Sequence, residues 1–309
     1  MTCPLIIDCD PGVDDAIAIL LTLASSHAFH LLGITTVAGN VPLALTYSNA
    51  RKICTLAGKP KTPVYAGCPR PLLRPLATAE DVHGATGLQG AKLPEPSGTA
   101  NSQHAVDFLR SQLLNASEPV TIAVLGPMTN LAVALVQSPQ IAQNIEQLVI
   151  MGGARGAGNI TPSAEFNIYV DPHAAHVVLS AKIPTVLIPL DTTHQVLTTP
   201  ERLEQIRSLG NPVAVAAAGM LAFYGQSDRK NYDLPAGPLH DPCTIAYLIN
   251  PDLFTTRQVP VTVELAGEQT LGRTVVDWHS KEPSTIQVTD KADADGFYDL
   301  LVNALASYS

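Results

Sequence analysis

The chain has 309 residues, of which 46% are hydrophobic and 15% charged, and its formal net charge is -9. An acidic chain without a lysine or arginine cluster argues against a nucleic-acid partner. No apolar run is long enough to span a bilayer, and the N-terminus lacks a signal-peptide pattern, which argues against a membrane partner. The five cysteines form no CxxC pair, which indicates reduced thiols in a cytoplasmic protein.

Short apolar runs alternate with helical patterns along most of the chain. The predicted strands are residues 5–7, 32–37, 120–125, 148–151 and 185–190. The predicted helices are residues 43–57, 102–114, 129–136, 173–181 and 201–224. Near-continuous apolar strands separated by helices indicate an α/β fold with a Rossmann-like, open and mostly parallel sheet and helices on both faces.

Three further segments complete the predicted organisation. Residues 68–99 are rich in proline and glycine and predict a long loop. Residues 260–290 predict a small C-terminal strand-rich addition, and residues 292–308 predict a closing helix. Because we find no internal repeat and no linker, we expect a single domain over residues 1–309.

Four carboxylates follow the first predicted strand in the segment DCDPGVDD at residues 8–15. The Pro-Gly pair turns the chain, so the acids lie where a strand gives way to a helix and like charges repel one another. A hard cation bound by oxygen ligands, Ca²⁺ or Mg²⁺, explains the cluster economically. The positive end of a helix would favour Asp14 and Asp15 without a metal. It does not account for Asp8 and Asp10, which precede the turn.

Polar residues also fall at the ends of the other predicted strands. Asn40 follows the second strand, residues 126–130 (GPMTN) follow a later one, and Gly152, Gly153 and Asp191 follow the next two. In open α/β sheets, ligands bind beyond the carboxyl ends of the strands. The sequence therefore predicts a binding site along this edge of the sheet.

The segment NITPSAEFN at residues 159–167 offers two carboxamides and one carboxylate within nine residues. Such groups act as paired donors and acceptors, which suits the vicinal hydroxyl groups of a sugar. Asparagines also serve turns in glycine-rich loops, and for this segment alone that alternative stays open.

The segment GPLHDP at residues 237–242 carries the last candidate groups. Asp241 before Pro242 predicts a helix start with aspartate at the N-cap. The same aspartate can supply an oxygen to a metal ion, and His240 beside it is a candidate proton donor. His83, in the long loop, could act similarly, although a loop histidine is more often a surface residue.

Four motifs together resemble the nucleoside hydrolases, the Ca²⁺-dependent N-ribohydrolases of the inosine–uridine type. The motifs are DCDPGVDD at residues 8–15, VHG at 82–84, AEFN at 164–167 and LHDP at 239–242. They match in order and spacing over essentially the whole chain. The chain looks most like the bacterial pyrimidine-preferring ribonucleoside hydrolases, of which the pair His83 and His240 is typical. The resemblance also implies a homo-oligomer, a tetramer or a dimer.

The resemblance implies a role for each candidate residue. The Ca²⁺ ligands would be Asp10, Asp15, Asp241 and the backbone carbonyl of Leu125. Asp10 would also accept the proton of the attacking water, and His240, alone or with His83, would protonate or stabilise the leaving base.

The remaining candidates would bind the nucleoside. The residues expected around the ribose are Asp14, Asn40, Asn159, Glu165 and Asn167. The residues expected around the base are Val82, Phe166, Tyr224, Asp228 and Tyr232. The last three are spaced by four, which would place them on one face of a helix.

Three alternatives compete with a pyrimidine nucleoside hydrolase. A purine-preferring or broadly specific nucleoside hydrolase would share the same motifs. A phosphatase of the haloacid dehalogenase type also has Asp-x-Asp after its first strand and binds Mg²⁺, but it needs a later lysine and an acidic pair at a strand end. A non-catalytic nucleoside-binding protein would lack a base and a proton donor, so Asp10 and His240 argue against it.

Overall fold

A computed structural model of the chain describes residues 2–226, 229 and 233–308. Its strands, in chain order, are β1 (Cys3–Cys9), β2 (Phe29–Thr36), β3 (Val64–Ala66), β4 (Val120–Val124), β5 (Ile145–Met151), β6 (Thr185–Ile188), β7 (Leu197–Thr198), β8 (Gly237–Pro238), β9 (Phe254–Gln258), β10 (Val261–Val263), β11 (Thr274–Val276) and β12 (Ile286–Ala292). Eight of these form a central sheet in the order β3-β2-β1-β4-β5-β6-β12-β9, and β7–β8 and β10–β11 form two small antiparallel pairs.

The helices of the described residues are α1 (Val13–Ala24), α2 (Leu43–Leu56), α3 (Glu80–His83), α4 (Ala105–Leu114), α5 (Thr129–Gln137), α6 (Phe166–Val170), α7 (Pro172–Leu179), α8 (Leu190–Thr193), α9 (Pro200–Ser208), α10 (Pro212–Phe223), α11 (Pro242–Ile249) and α12 (Ala294–Ala306). Short 3₁₀ turns cover Pro139–Asn144 and Pro251–Leu253. Helices α7, α9 and α10 each begin with a proline that follows a side-chain cap, the favoured start of a helix. No helix within these described ranges is long and apolar enough to cross a membrane.

Alternate side chains of the first strand show that both faces of the sheet are covered. Leu5 and Ile7 belong to one buried cluster, with side chains of α1, α10 and α12, whereas Ile6 belongs to a second cluster with side chains of α4, α5 and α7. Strands β1 to β6 and β12 run parallel, and only β9 at one edge pairs antiparallel. The predicted α/β fold with a mostly parallel sheet is therefore confirmed.

Two of the predicted elements differ in the structure. The predicted helix at residues 201–224 is two helices in the structure. Gly210 adopts a φ of +72° between α9 and α10, and Pro212 is the first residue of α10. The predicted small strand-rich addition at residues 260–290 is present, but the strand that begins at Ile286 does not belong to it. Only β10 and β11 form a separate hairpin, since β12 joins the central sheet between β6 and β9.

Candidate active site

The acidic segment after β1 shapes its own turn. Asp15, in the first turn of α1, accepts hydrogen bonds from the backbone N–H groups of Gly12 at 2.9 Å and Asp10 at 3.2 Å. Its carboxylate thus satisfies N–H groups that precede the helix, where a negative charge is favoured. Asp10, Asp14 and Asp15 are all at least 96% buried, so the cluster does not face bulk water.

Asp241 joins this cluster although its sequence context predicts a helix cap. Asp171, before Pro172, caps its helix by accepting a hydrogen bond of 3.0 Å from Ala174 N. Asp241, before Pro242, makes no side-chain capping bond. One carboxylate oxygen from each of Asp14, Asp15 and Asp241 lies within 4.8 Å of the others, so this aspartate takes part in a group that could hold a metal ion.

Burial and mutual repulsion disfavour ionisation of these acids. They raise the pKa of Asp15 to about 7 and the pKa values of Asp10 and Asp241 well above the usual range, with loss of hydration as the largest cause. Burial also raises the pKa of Asp8 to about 6, although Thr35 and Asn130 donate hydrogen bonds to its carboxylate. A bound cation would supply the positive charge that ionised carboxylates need here.

The oxygen atoms of the cluster fit a hard cation. Asp10 Oδ1 and Asp14 Oδ1 are buried without a hydrogen-bond partner among the described residues. Unpaired buried oxygens are costly, and carboxylate oxygens are the ligands that Ca²⁺ and Mg²⁺ prefer. The close group of three contains Asp14, which we expected at the ribose, and it does not contain Asp10.

Three glycines, which carry no side chain, leave room for the side chains of Asp10 and His83. A Cβ atom at Gly39 would lie 2.0 Å from Asp10 Oδ2, and one at Gly126 would lie 2.2 Å from Asp10 Oδ1. A Cβ atom at Gly12 would lie 2.4 Å from His83 Nδ1. Gly126 belongs to a segment that the sequence places at this edge of the sheet, whereas Gly39 was not predicted, and its only signal was that it follows β2.

Asn40 connects two of the acids. Its backbone N–H donates to Asp10 Oδ2 at 2.7 Å, and its side-chain amide donates at 3.2 Å to both the Asp10 carbonyl and Asp15 Oδ2. With Oδ2 engaged in this way, Oδ1 is the Asp10 oxygen that lacks a partner among the described residues.

Both candidate histidines are buried, which contradicts the alternative that His83 is a surface residue. His83 ends the single-turn helix α3 in the long loop, and its Nδ1 accepts a hydrogen bond of 3.1 Å from Val13 N. A neutral His83 therefore carries its proton on Nε2. His240 Nδ1 lies 2.6 Å from the Thr193 hydroxyl group, a contact with α8 that we did not predict.

Tyr224 lies near both histidines and is bonded to one of the acids. Its hydroxyl group donates a hydrogen bond of 2.7 Å to Asp14 Oδ2, and its ring lies 5.3 Å from the ring of His83 and 6.2 Å from that of His240. The expected helix face is wrong for this residue, because α10 ends at Phe223 and Tyr224 has extended backbone angles. Asp228 and Tyr232 lie outside the described residues.

The segment at residues 159–167 folds around its own polar side chains. Glu165 caps α6 by accepting from the N–H groups of Asn167 and Ile168. Asn167 Nδ2 donates to the Leu125 carbonyl at 2.7 Å and to the Met151 carbonyl at 3.2 Å, and Asn159 Oδ1 accepts from Phe166 N at 2.8 Å. Asn167 can thus offer its amide oxygen to a ligand, and Asn159 can offer its NH₂ group.

One cavity collects most of the predicted residues. Those that line it are Asp14, Asn40, Val82, His83, Leu125, Asn159, Glu165, Phe166, Asn167, Tyr224, His240 and Asp241. Asp10 and Asp15 are fully buried and are not part of its wall. The wall also includes four residues that we did not predict, Ala79, Asp81, Met151 and Ile160. The cavity lies at the carboxyl ends of β1, β2, β4 and β5, as the sheet order requires.

Fold and cavity together define an α/β protein with acidic, carboxamide and imidazole groups around one small-molecule site. The family model described as inosine-uridine preferring nucleoside hydrolase matches residues 5–299. The chain belongs to this family, and it is therefore a hydrolase that acts on N-glycosyl bonds. This assignment excludes the phosphatase and the non-catalytic binding protein.

Individual relatives resemble the chain over its full length. The pyrimidine-specific ribonucleoside hydrolase RihA of Shewanella woodyi is 46% identical over 100% of both chains. An uncharacterized protein of Schizosaccharomyces pombe is 48% identical over 97% of this chain and 98% of its own. Among solved structures, the purine-preferring ribonucleoside hydrolase from Gardnerella vaginalis is 32% identical, with a TM-score of 0.91 over 98% of both chains.

Proposed function

We propose that this enzyme is a Ca²⁺-dependent ribonucleoside hydrolase that prefers pyrimidine nucleosides such as uridine and cytidine and releases free base and ribose. The observation that carries the proposal is the cavity in which Asp14 and Asp241 meet three carboxamides and two buried histidines. The 46% identity to a relative named for pyrimidine specificity supports the choice of base.

In this proposal Ca²⁺ would be held by Asp10, Asp15, Asp241 and the Leu125 carbonyl. The chemistry that a bound ion would supply is a lower pKa of the water molecule that attacks the ribose. The buried and unpartnered Asp10 Oδ1 supports a ligand at this point. The absence of a capping bond at Asp241 also supports it.

Asp10 is the proposed general base. As the water oxygen forms its bond to the anomeric carbon, Asp10 takes the proton that the water loses. The hydrogen bond from Asn40 N to Asp10 Oδ2 keeps the carboxylate oriented and leaves Oδ1 without a hydrogen-bond partner among the described residues.

The ribose is bound through its hydroxyl groups by Asp14, Asn40, Asn159, Glu165 and Asn167. As the bond from the anomeric carbon to the base breaks, its electron pair leaves with the base and the ribose ring gains positive charge. Nearby carboxylates stabilise that charge, which exists only in the transition state.

The leaving base receives a proton from His240, alone or together with His83. Val82, Phe166 and Tyr224 line the cavity and are proposed to contact the base. Asp228 and Tyr232 are proposed for the same role. The overall reaction consumes one water molecule and yields the neutral base and ribose.

A panel of uridine, cytidine, inosine and guanosine, assayed for free base with and without the chelator EGTA, tests this function. We expect kcat/KM to be highest for the pyrimidine nucleosides and to fall to background with EGTA. Purine preference is the second candidate, and the structural likeness to the purine-preferring Gardnerella enzyme favours it. Higher kcat/KM for inosine would establish that candidate, and no release of base from any nucleoside would refute both.

We further propose that the chain forms one domain, acts in the cytoplasm and assembles as a homo-oligomer, a tetramer or a dimer. Sedimentation equilibrium of the purified enzyme measures the assembly directly, and a monomer across the micromolar range would refute it.

A further inference from the structure

The loop that follows β5 is held by side chains from three other parts of the chain. Four successive backbone N–H groups each donate to a side-chain oxygen. These bonds are Gly153 to Glu165 at 2.9 Å, Ala154 to Thr274 at 2.9 Å, Arg155 to Asp191 at 2.7 Å and Gly156 to Asp191 at 3.2 Å. We call residues 153–156 the clamped loop.

Asp191 accepts two of these bonds, one on each carboxylate oxygen. It lies in α8, directly after β6, and is about three-quarters buried. A carboxylate that accepts two backbone N–H bonds forms stronger bonds than a neutral acceptor would. Asp191 therefore holds both backbone N–H groups at the far end of the clamped loop.

The Arg155 side chain strengthens the same attachment. Its Nη1 donates to Asp290 Oδ1 at 2.6 Å, its Nε lies 3.7 Å from Asp191 Oδ1, and its guanidinium group lies 5.3 Å from the centre of the Trp278 ring. Arg273 donates to the Arg155 carbonyl at 3.2 Å. The main chain and the side chain of Arg155 are thus both fixed to neighbouring segments.

The clamped loop leads directly to Asn159 in the cavity wall. Glycine at positions 152, 153, 156 and 158 gives this stretch wide conformational freedom, because glycine has no Cβ to restrict its backbone angles. A loop of this composition would lose much entropy on binding a ligand unless it were already ordered. The bonds to Asp191 supply that order before a ligand arrives.

We propose that Asp191 is a positioning residue for substrate binding, acting through the clamped loop on Asn159. The inference rests on the proposed function, since it takes Asn159 to bind the ribose. Neither Asp191 nor Arg155 lines the cavity, so neither contacts the substrate directly, and the hydrogen bonds from Asp191 to the clamped loop connect it to Asn159.

Kinetics of Asp191→Ala with uridine test the proposal. We expect KM to rise about tenfold, the order of one or two lost hydrogen bonds, while kcat changes less than about twofold. Asp191→Asn keeps one acceptor oxygen and should give an intermediate KM. Asp295→Ala removes a surface carboxylate that pairs with Arg202 far from the cavity, and it should leave KM unchanged.

A double-mutant cycle separates positioning from general stability. In the background Asn159→Ala, the further change Asp191→Ala should leave KM unaltered, because the residue through which it acts is already absent. An unchanged KM in the single variant, or the same tenfold rise in both backgrounds, would overturn the proposal.

Amide hydrogen exchange tests the clamp without any need for activity. Asp191→Ala should speed exchange at residues 153–159 while exchange in β1 and β4 stays as slow as in the parent. Unchanged exchange in the loop overturns the clamp itself. If exchange changes as expected but the parent releases no base from any nucleoside, the proposed function fails and the clamp stands.

Discussion

The hydroxyl group of Thr193 lies 2.6 Å from Nδ1 of His240, and both side chains are buried. The same hydroxyl group donates a hydrogen bond of 3.3 Å to the Leu190 carbonyl within α8. The Thr193 hydroxyl group thus lies within hydrogen-bonding distance of both groups, and its short contact with Nδ1 fixes the orientation of the imidazole ring. A threonine without any charge thus sets how the proposed proton donor faces the cavity.

Thr193→Val tests this relationship, because it keeps the shape of the side chain and removes the hydroxyl group. We expect kcat for uridine to fall about tenfold, the order of one buried hydrogen bond, with little change in KM. Thr193→Ser should restore most of the rate. An aryl riboside with a nitrophenolate leaving group needs no proton donor, so its hydrolysis should be unaffected. An equal loss on both substrates would show that Thr193 does not act through His240.

Asp10→Asn tests the general base with the least change in shape. Loss of the base should lower kcat for uridine by about 10²- to 10⁴-fold, because the amide cannot take the proton of the attacking water. Uracil release measured by chromatography gives the rate, and circular dichroism checks that the fold is retained. Turnover within a few-fold of the parent would assign the base to another residue.

Removal of the metal ion should abolish activity reversibly. Dialysis against EGTA is expected to stop uracil release, and added Ca²⁺ should restore it, because the ionised acids need a bound cation to stay together. Mg²⁺ serves as the matched comparison, since it demands a smaller octahedral site. Full activity of the metal-free enzyme would refute the metal site.

The stability of the metal-free enzyme should fall as pH rises. The pKa of Asp15 is about 7 in the folded chain against an ordinary 3.8, so between these values the folded state binds more protons than the unfolded state. The free energy of unfolding then decreases with rising pH, and the loss is complete above about pH 7. Calorimetry in EGTA at pH 5 and pH 8 should show a lower Tm at pH 8. Asp15→Asn should reduce this difference, and a difference as large as in the parent would contradict the assignment.

Gly126→Ala should damage the site without removing a functional group. The new Cβ atom would lie 2.2 Å from Asp10 Oδ1, so either the carboxylate or the end of β4 must move. We expect a loss of about 1–3 kcal/mol in the free energy of unfolding, the usual cost of overpacking, together with loss of activity. Urea denaturation measures the first and uracil release the second. If the free energy of unfolding and the rate of uracil release both equalled those of the parent, the site would tolerate the added Cβ atom.

The sequence indicates those candidate residues that lie at strand ends or in compact motifs. Asp10 and Asn40 follow apolar runs, and parallel strands bring their carboxyl ends together, whereas Asp241 was singled out by its motif. Thr193 was missed because a threonine in a short helix carries no local signal of its contact with a residue 47 positions away. Gly39 was missed for a similar reason, since the Asp10 carboxylate that it accommodates is distant in the sequence.

The end of α10 shows why spacing by four does not place Tyr224 on a helix face. The predicted helix stops at residue 224, Gly225 adopts a φ of +76°, and a Cβ atom there would lie 2.6 Å from the Cα atom of Gly237. The chain therefore leaves the helix where two glycines meet across the fold. Such a contact depends on tertiary structure, which a local pattern of residues does not contain.

Strand β12 has a consequence for the synthesis of the enzyme. It lies between β6 and β9, yet it is made after every residue proposed for the active site. While the chain emerges from the ribosome, β6 presents the unpaired N–H and C=O groups of an open edge, which invite pairing with other chains. A chain cut short before residue 286 would carry the complete set of catalytic groups and would be expected to aggregate.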